Sequence, residues 1–559
     1  MDFEQFYKDK YPPGVPTRID LDQYESMVDV FEKSVKKFAD RPAFSAVGVT
    51  LTYRDLDRLS RHFASWLQNK TELKPGDRIA VQMPNLSQYP VVVFGAMRAG
   101  LIVVNTNPLY TTREMEHQFN DSGAKALVVL ANMADNVEKV LPRTGLEYVI
   151  VTEIADMHPP VKRTLMNAVV KHVKKMVPKY NLPQAFRLPA VLSEGAKQKF
   201  TPVPAKADDI AVLQYTGGTT GVAKGAMLSH ANLVANLLQT RPMMGGVIEE
   251  GKEVVIAPLP LYHIYSFTLN CGIMLEEGAH NVLIPNPRDI PGFVKELKNH
   301  RFTAFLGLNT LFVALCNNDE FRALDFSALK LTSSGGMALT NATAKRWEEV
   351  TGCEISEGYG MTETSPVVTF NPPNAIQLGT IGLPVCNTEI QTLDDDNKQT
   401  PLGEPGELCV KGPQVMVGYW QRPEETKKSF TEDGYLRTGD IAVIQEDGYV
   451  RIVDRKKDMI IVSGFNVFPN EIEDIVSEHP KVLECAAVGV EDEKSGEAVK
   501  VFVVATSPGL TKEELKEFCR ERLTAYKVPK TFEFRDELPK TNVGKILRRQ
   551  LRDEDVKKA

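Results

Sequence analysis

A short segment near the middle of the chain combines backbone freedom, hydroxyl groups and one cation. It reads Tyr-Thr-Gly-Gly-Thr-Thr-Gly-Val-Ala-Lys-Gly over residues 215–225. Glycines allow backbone N–H groups to approach an anion closely, and such a run can form a concave nest for a polyphosphate. It is not a Walker A loop, and a flexible Gly/Thr linker would have the same composition. The predicted phosphate ligands are Thr216, Gly217, Gly218, Thr219, Thr220, Gly221 and Lys224.

A second segment, residues 357–364, places an aromatic ring beside a hydroxyl group and a carboxylate. It reads Glu-Gly-Tyr-Gly-Met-Thr-Glu-Thr. The ring of Tyr359 can stack on a purine. Glu363 is a carboxylate of the kind that Mg²⁺ takes together with phosphate oxygens. Taken alone, the segment is equally compatible with a loop that carries a surface glutamate.

Two further segments each present one charged side chain from a tight turn. In Asp-Gly-Tyr-Leu-Arg-Thr-Gly-Asp-Ile, residues 433–441, Asp440 can accept hydrogen bonds from both hydroxyls of a ribose, although a turn capped by Asp is the alternative. In Leu-Pro-Lys-Thr-Asn-Val-Gly-Lys-Ile-Leu-Arg-Arg, residues 538–549, the turn presents Lys545. An ordinary surface lysine is the alternative there.

Composition sets the class of protein that holds these segments. A chain of 559 residues predicts two to four domains or subdomains. The formal net charge of −7 argues against a general nucleic-acid-binding surface. Seven dispersed cysteines predict reduced thiols and no structural zinc site. A polar N-terminus and the lack of an apolar run of ~18 residues predict a cytoplasmic protein without a membrane-spanning helix.

Short apolar runs alternate with amphipathic stretches, which predicts an α/β fold. Strands are predicted at 78–82, 126–130, 149–151 and 254–260, and helices at 87–98, 112–120 and 232–240. A Pro- and charge-rich stretch, 183–209, separates the first portion from the Gly/Thr segment.

The last hundred residues have the pattern of a separate small domain. Strands are predicted at 483–490 and 499–504, and a helix at 511–523 that begins with a capping box from Thr511 to Glu514. Five consecutive charged residues, 454–458, precede this domain. Such a run is typical of a solvated face or an exposed hinge.

Residues 161–178 form a basic amphipathic segment. Seven apolar residues recur there at helical spacing among lysines and one arginine, and no acidic residue occurs between Met157 and Ser193. A helix of this kind can lie on an anionic membrane surface. A helix packed on the core with a solvated basic face is the slightly favoured alternative.

Together, and in this order, the four segments resemble the adenylate-forming superfamily of acyl-CoA synthetases, luciferases and peptide-synthetase adenylation domains. The resemblance covers essentially the whole chain. It implies a large N-terminal α/β domain of several subdomains, 1–456, joined by a charged hinge to a small mobile α+β domain, 457–559. The implied nucleotide ligands are the Gly/Thr segment together with Gly335, Gly336, Glu357, Gly358, Tyr359, Thr362, Asp440 and Arg455.

The same resemblance implies further roles by position. Lys545 matches the catalytic lysine, Glu363 the Mg²⁺ ligand, with Thr219 beside it, and His263 the histidine of the acyl-pocket segment. The other matches are the hinge residue Lys457, the CoA-binding residues Ser463, Gly464 and Phe465, and the acyl-pocket residues Tyr262 and Phe267. Three positions depart from the family pattern: Ala223 stands where Pro is usual, Tyr435 where Trp is usual and Arg437 where His is usual.

Residues 433–457 are most similar to the signature of fatty acyl-CoA synthetases, and the whole chain to bacterial long-chain fatty acid–CoA ligases. The resemblance implies ATP, CoA and a fatty acid as substrates, Mg²⁺ as cofactor, and an acyl-AMP intermediate. The alternatives are a medium-chain or aryl acid–CoA ligase, an adenylation domain that serves a carrier protein, and a non-catalytic lipid or acyl-adenylate binding relative. The oligomeric state is left open.

Overall fold

The computed structural model describes residues 3–216, 223–463, 465–492, 495–506, 508–541 and 544–556. Within these ranges helices and strands alternate in a large N-terminal domain, and a smaller domain follows it. The predicted α/β class is therefore confirmed. The domain boundary at 456/457 stays a prediction.

The strands fall into four sheets that are described below. In chain order they are β1 (Pro42–Ala46), β2 (Val49–Thr52), β3 (Arg78–Gln82), β4 (Ile102–Asn105), β5 (Ala124–Leu130), β6 (Tyr148–Thr152), β7 (Phe186–Arg187), β8 (Ile210–Thr216), β9 (Lys224–Ser229), β10 (Val254–Ala257), β11 (His280–Leu283), β12 (Ala304–Gly307), β13 (Leu331–Ser334), β14 (Ile355–Gly360), β15 (Val367–Phe370), β16 (Leu383–Pro384), β17 (Glu389–Leu393), β18 (Pro405–Lys411), β19 (Gly418–Tyr419), β20 (Leu436–Ile444), β21 (Val450–Arg455), β22 (Ile460–Val462), β23 (Phe465–Val467), β24 (Val482–Asp492), β25 (Gly496–Ala505) and β26 (Thr531–Phe534).

The α-helices cover the faces of these sheets. In chain order they are α1 (Phe3–Tyr7), α2 (Met27–Lys37), α3 (Tyr53–Lys70), α4 (Gln88–Arg98), α5 (Thr112–Ser122), α6 (Ala134–Val140), α7 (Pro160–Ala168), α8 (Leu188–Gly195), α9 (His230–Thr240), α10 (Ile264–Ser266), α11 (Met274–Glu276), α12 (Ile290–Leu297), α13 (Asn309–Cys316), α14 (Asp319–Arg322), α15 (Asn341–Thr351), α16 (Pro423–Lys428), α17 (Pro469–Ser477), α18 (Lys512–Arg520) and α19 (Arg548–Val556). Two π-helical segments, Val169–Val173 and Phe267–Ile273, continue α7 and α10.

Two large, mainly parallel sheets form the centre of the N-terminal domain. One has the order β16-β15-β14-β13-β12-β10-β11-β1-β2 and the other β19-β9-β8-β4-β3-β5-β6-β7. Strands such as β4 and β12 are buried along their whole length, as expected where helices cover both faces of a parallel sheet. Ligands of such sheets bind beyond the carboxyl ends of the strands, and β8, β13 and β14 all end near the same cleft.

A four-stranded antiparallel sheet, β17-β18-β20-β21, completes the large domain. Asp440 on β20 and Arg455 on β21 are register partners. The small domain has its own sheet, with β23-β22-β25-β24 in order and β26 paired to β25. Its separate core includes Val501 and Phe532.

Most predicted elements are present close to the predicted bounds. The stretch 183–209 is the exception, because it holds more than a connection. It contains β7 and α8, and α8 buries Leu188, Val191 and Leu192 against the core. The helix at 511–523 is found as α18, and Thr511 caps it by accepting a hydrogen bond from the Glu514 N–H.

The amphipathic segment forms α7 and the π-helical turns after it, and its apolar stripe faces solvent. Val161 and Val173 are 76% and 73% exposed, and Leu165, Val169 and Met176 are exposed as well. The favoured packed arrangement is therefore wrong for this stripe. The opposite side is tied down instead, since the Asn167 side chain accepts a hydrogen bond from the Ala155 N–H.

All seven cysteines are buried, and none is in a disulfide. Across the described ranges, every helix is too short or too polar to span a bilayer.

Candidate active site

A cleft of about 1670 Å³ lies where the large and small domains meet. Its walls come from the carboxyl ends of β13 and β14, from β20 and β21, and from residues 540–541 and 545–549 of the small domain. All four segments that the sequence singles out therefore reach one place, at least through their described residues.

Lys545 enters the cleft from the small domain. The turn before it is closed by hydrogen bonds between Thr541 and Lys545, and Gly544 adopts the left-handed conformation that this turn requires, with φ 85°. The lysine stem runs over Gly336, where an added Cβ would lie 3.8 Å from Lys545 Cε. Burial, and then the charge of Arg455, lower the pKa of Lys545 to about 8.

Asp440 and its neighbours form a hydrogen-bond acceptor at the large-domain wall of the cleft. The Tyr359 hydroxyl donates to Asp440 Oδ2 at 2.5 Å, and Arg455 Nε lies 3.2 Å from Oδ1. Burial raises the pKa of Asp440, and the adjacent guanidinium opposes that shift. A buried carboxylate held by a phenol and a cation is positioned to accept hydrogen bonds from ribose hydroxyls.

Glu363 lies deeper, just after β14. Its Oε1 accepts a hydrogen bond from the Tyr419 hydroxyl at 2.7 Å, and burial raises its pKa. Tyr419 is a site residue that the sequence argument missed. The available signal was the dense aromatic and charged run Gly-Tyr-Trp-Gln-Arg-Pro, residues 418–423.

Half-buried His263 and buried Glu357 are ionisable groups that line the cleft. Burial, and then the charge of Lys545, lower the pKa of His263 to about 3, so its ring is neutral at physiological pH. Its Nδ1 accepts from the Tyr265 N–H at 3.3 Å. Glu357 accepts from the Leu339 N–H at 3.1 Å, and burial raises its pKa to about 8.

The glycines on the opposite wall allow close backbone approach. A Cβ at Gly335 would lie 3.2 Å from the Gly358 carbonyl oxygen, and Gly336 has φ 82°. A larger residue at Gly335 would therefore press on β14 or on the ring of Tyr265. Thr362 also lines the cleft.

The Gly/Thr segment is described only at its two ends. Thr216 ends β8 and pairs with Lys224 at the start of β9, in an antiparallel arrangement of the two strands. Gly217, Gly218, Thr219, Thr220 and Gly221 lie outside the described residues. Lys224 forms an ion pair with Glu425, and its Nζ lies 5.2 Å from the centre of the Tyr419 ring.

The two acyl-pocket candidates are placed differently. Tyr262 lines the cleft beside Ile264 and Tyr265, and the Gln214 side chain donates to its carbonyl oxygen. Phe267 is fully buried in the main core, four residues beyond His263.

The hinge and CoA candidates lie at the edge of the site and outside it. Lys457 is in an exposed turn that borders the cleft. Phe465 is 58% exposed on the small domain and stacks on Tyr526 at 5.0 Å between ring centres. Ser463 adopts positive φ of 52°, and Gly464 lies outside the described residues.

The carboxylates of the cleft suit a magnesium ion that also binds phosphate oxygens. Within the described ranges, no group of three His, Cys, Asp or Glu side chains could hold a metal by itself. Mg²⁺ bound with a nucleotide needs only one or two carboxylates in addition to phosphate oxygens. Glu363, a buried carboxylate whose pKa burial raises, meets that requirement.

Comparisons with known proteins identify the family of the chain. The family model described as AMP-binding enzyme matches residues 31–420, and the model of the AMP-binding enzyme C-terminal domain matches residues 471–545. A long-chain-fatty-acid–CoA ligase of Escherichia coli O6:H1 is 55% identical over 552 residues, which cover 99% of this chain and 98% of that protein. The ligase of the same name from Haemophilus influenzae is 53% identical, with 99% of each chain covered.

Solved structures with other substrates share the fold. An anthranilate CoA ligase in complex with anthranoyl-AMP superposes with a TM-score of 0.84 at 25% identity, covering 96% of this chain and 99% of that one. A benzoate CoA ligase from Burkholderia xenovorans gives a TM-score of 0.81 at 27% identity, covering 94% and 99%.

Proposed function

The chain belongs to the AMP-binding enzyme family, and from that premise we propose that it converts long-chain fatty acids to acyl-CoA at the cleft between its domains. ATP first activates the carboxylate as acyl-AMP, and CoA then displaces AMP. One observation supports the assignment of residues: Lys545 of the small domain is half-buried in the cleft that Asp440 and Glu363 line.

The first half-reaction makes a good leaving group out of a poor one. A fatty carboxylate oxygen bonds to the α-phosphorus of ATP, and the bond from that phosphorus to the bridging oxygen of pyrophosphate breaks. Fixed charges that stabilise the transition state are the main contribution that a protein makes to such a transfer. The Lys545 ammonium is in position to neutralise both the carboxylate and the α-phosphate.

The large domain holds the nucleotide. Asp440 accepts from the ribose hydroxyls, with Tyr359 and Arg455 fixing its carboxylate. Gly335, Gly336 and Gly358 let the base lie against the backbone, next to Glu357. Thr216, Lys224 and the segment between them bind the β- and γ-phosphates, and Thr362 faces the same space.

Glu363 would hold the magnesium ion, with Thr219 as its second protein ligand. When bound, the ion would neutralise the charge of the departing pyrophosphate. The Tyr419 hydroxyl fixes the carboxylate at 2.7 Å, so that Glu363 needs little rearrangement to bind a cation. His263, neutral and half-buried, positions the fatty carboxylate at the mouth of the acyl pocket beside Tyr262, and Phe267 is a candidate gate behind it.

The second half-reaction requires a different surface. The CoA sulfur bonds to the acyl carbonyl carbon, the bond to the AMP oxygen breaks, and the thiol proton passes to solvent. We propose that the small domain, residues 457–559, rotates about Lys457 between the two steps. Lys545 then leaves the cleft, and Ser463, Gly464 and Phe465 enter it to line the pantetheine channel. The exposed position of Phe465 in the present arrangement supports this exchange.

The experiment is an assay of CoA thiol consumption that depends on ATP, with palmitate, oleate, octanoate and benzoate as acids. Preference for palmitate and oleate is the expected result. A preference for octanoate or benzoate would favour the medium-chain or aryl ligase, and no turnover with any acid would favour a non-catalytic relative. Turnover that persists after divalent cations are chelated would remove the magnesium part of the proposal.

We also propose that the exposed stripe of residues 161–176 binds anionic membranes, from which long-chain acids are drawn. Five apolar side chains face solvent there, and Lys162, Lys171, Lys174 and Lys175 flank them, which is the arrangement of an interfacial helix. The expected localisation is cytoplasmic, on the inner face of the membrane.

Co-sedimentation with phosphatidylglycerol vesicles tests this second proposal. Leu165→Ser with Val173→Ser should reduce the bound fraction, and so should glutamate at Lys171, Lys174 and Lys175. Leu109→Ser is the matched control, because Leu109 is exposed but lies outside the stripe. Equal binding by all of these variants would contradict the proposal.

A further inference from the structure

An acidic side chain of the large domain is paired with the cation of the Gly/Thr segment. Glu425 lies in α16 and forms an ion pair with Lys224, the first residue of β9. The proposed function gives Lys224 a different anion to bind, the β- and γ-phosphates of ATP. Glu425 has no part in that mechanism so far. The lysine therefore has two negatively charged candidate partners, one inside the protein and one in the substrate.

The short turn before α16 holds Glu425 close to the Gly/Thr segment. The Trp420 N–H donates to the Gly225 carbonyl oxygen at 2.8 Å, which fastens this turn to β9. The helix is also tied back to β19, because the Tyr419 N–H donates to Thr426 Oγ1 at 2.9 Å. Backbone that is bonded on both sides thus carries Glu425. Its carboxylate stays near β9 whether or not it is paired with the lysine.

Asp121 of α5 anchors the same turn to β8. Its Oδ1 accepts from Arg422 Nη2 at 2.6 Å, and its carbonyl oxygen accepts from the Trp420 ring N–H at 3.1 Å. Its Oδ2 accepts from the hydroxyl of Tyr215, on β8, at 2.7 Å. The turn and the two strands are therefore joined as one unit. Because a lysine has a flexible four-carbon stem, the Lys224 ammonium can move while this unit stays in place.

The Lys224 ammonium is close to the cleft as well as to α16. Lys224 is the register partner of Thr216, which lines the cleft, and its Nζ lies 5.2 Å from the centre of the Tyr419 ring. The hydroxyl of that ring donates to Glu363 at 2.7 Å. Burial raises the pKa of Glu363, and the charge of Lys224 is among those that oppose the shift. The ammonium is thus near the carboxylate that would hold magnesium.

The ion pair of Lys224 and Glu425 is suited to exchange. The two side chains are 35% and 41% exposed, and exposed ion pairs contribute little stability because water screens them. Phosphate oxygens form charge-assisted hydrogen bonds with an ammonium group, and a polyphosphate carries more charge than one carboxylate. A polyphosphate can therefore displace the carboxylate, and the carboxylate can return when the polyphosphate leaves.

We infer that Glu425 is an internal counter-ion that competes with ATP and pyrophosphate for Lys224, and that it thereby promotes the release of pyrophosphate after adenylation. The inference rests on the proposed function, because it concerns the phosphates that Lys224 binds there. Glu425 acts through Lys224 and is a positioning residue. Its effect is confined to ligands that carry phosphates beyond the α-position, so AMP should not respond to it.

Ligand binding to the whole protein, without acid or CoA, gives the first test. Glu425→Gln should lower the Kd of ATP and of pyrophosphate, each with Mg²⁺, about two- to fivefold, the range for removal of a competing exposed ion pair. The Kd of AMP should stay at the wild-type value, which also shows that the variant folds. Glu424→Gln removes the same charge from an exposed neighbour on α16 and should change none of the three. Isothermal titration calorimetry measures them.

Product inhibition gives the second test. Pyrophosphate should inhibit the formation of acyl-AMP by Glu425→Gln at about two- to fivefold lower concentration than it inhibits the wild-type protein. Unchanged binding of ATP and pyrophosphate in this variant would overturn the inference. Weaker binding would overturn it too, since Glu425 would then orient Lys224 for the phosphates.

Lys224→Met separates this inference from the proposed function. It should weaken the binding of ATP and pyrophosphate and leave that of AMP unchanged, and Glu425→Gln should have no further effect in its background. If Lys224→Met left all three affinities unchanged, the proposed phosphate role of Lys224 would fail, and the inference with it. If Lys224→Met weakened binding but Glu425→Gln alone did not tighten it, only the inference would fail.

Discussion

The two walls of the cleft are held in different ways. In the large domain Asp440 and Glu363 each accept a hydrogen bond from a tyrosine of the same domain. Asp440 lies on β20, and Glu363 lies in a short turn between β14 and β15. In the small domain Lys545 projects from a turn, and its position depends on how the whole domain is seated. In the proposed mechanism the large-domain wall binds nucleotide in both steps and stays fixed, and the small-domain wall serves one step and is exchanged.

An ionic cluster around Arg548, three residues after Lys545, links the small domain to the large one. We call this cluster the seat of the small domain. Arg548 lies 2.6 Å from Glu473 and 3.4 Å from Asp454. Asp454 precedes the predicted boundary, and its Oδ2 also accepts from the Asn470 N–H at 2.7 Å. These two contacts of Asp454 span the hinge turn at Lys457 and hold Lys545 in the cleft.

Removing Lys545, which belongs to the exchangeable wall, should have the largest effect on the rate of adenylation. Lys545→Ala should slow the formation of acyl-AMP by about a hundredfold or more, the usual loss for a group that stabilises transition-state charge. The conversion of supplied acyl-AMP to acyl-CoA should persist. Pyrophosphate release and thioester formation, measured separately, check both statements.

Lys512→Ala is the control for this variant, because Lys512 is exposed on the same domain. It should retain both half-reactions. If Lys545→Ala lost the two steps equally, Lys545 would not be specific to adenylation, and the contrast between the two walls would fail.

Deprotonating Lys545 by raising the pH should have the next largest effect on the rate of adenylation. Burial places the pKa of Lys545 near 8, below its ordinary value of 10.5, so the cation is lost as the pH rises through 8. The value of kcat/KM for adenylation, which reports groups of the free enzyme, should therefore fall about tenfold per pH unit above that point. A pH profile of pyrophosphate release measures it.

Lys545→Arg tests whether this falling limb belongs to the lysine. A guanidinium stays charged over the whole range, so the limb should vanish in whatever activity the variant retains. A limb that persists would assign the titration to another group.

Weakening the ionic cluster around Arg548 should have a smaller effect on the rate of adenylation. Asp454→Asn keeps the shape of the side chain but removes its charge from Arg548, so the arrangement with Lys545 in the cleft should become less populated. We expect adenylation to slow by about fivefold, as for a loss of roughly 1 kcal/mol. The thioester step should be unchanged or faster.

Asp458→Asn is a matched control, because Asp458 lies after the hinge and 3.8 Å from Arg548. It should change the ratio of the two half-reaction rates less than Asp454→Asn does. An equal decrease of both half-reactions in Asp454→Asn would indicate general destabilisation and no seating role.

The difference between local and long-range contacts also explains which site residues the sequence could predict. Local strings identified Lys545 and Asp440, because the family pattern and the turn chemistry both lie within a few residues of each. Tyr419 and Arg548 escaped because their partners Glu363 and Glu473 are 56 and 75 residues away in the chain. Contacts at such separations depend on how sheets and domains assemble, which no local pattern encodes.

Helical periodicity had a related limit at residues 161–176. The spacing of apolar residues predicts which of them share a face of an α-helix, and the segment is α-helical over Pro160–Ala168 and π-helical over Val169–Val173. The spacing does not determine whether another element covers the face. The helix α8 within 183–209 was not predicted for a different reason. The prolines and charged residues around it obscured the apolar pattern of its eight residues.

The smallest predicted effect concerns Ala223, where the fixed wall departs from the family pattern. The carbonyl oxygen of Ala223 accepts from His117 Nε2 at 2.9 Å, so the end of the phosphate segment is already held from outside. Proline at this position keeps that acceptor, restricts φ and removes the N–H of residue 223. Such a change is worth about 0.4–1 kcal/mol where the conformation suits it. We therefore expect Ala223→Pro to change KM for ATP by about twofold or less, with Ala223→Gly as the opposite control. A large loss of ATP use in the proline variant alone would show that this part of the large-domain wall has to move during the reaction. Residue 223 would then not belong to the fixed wall.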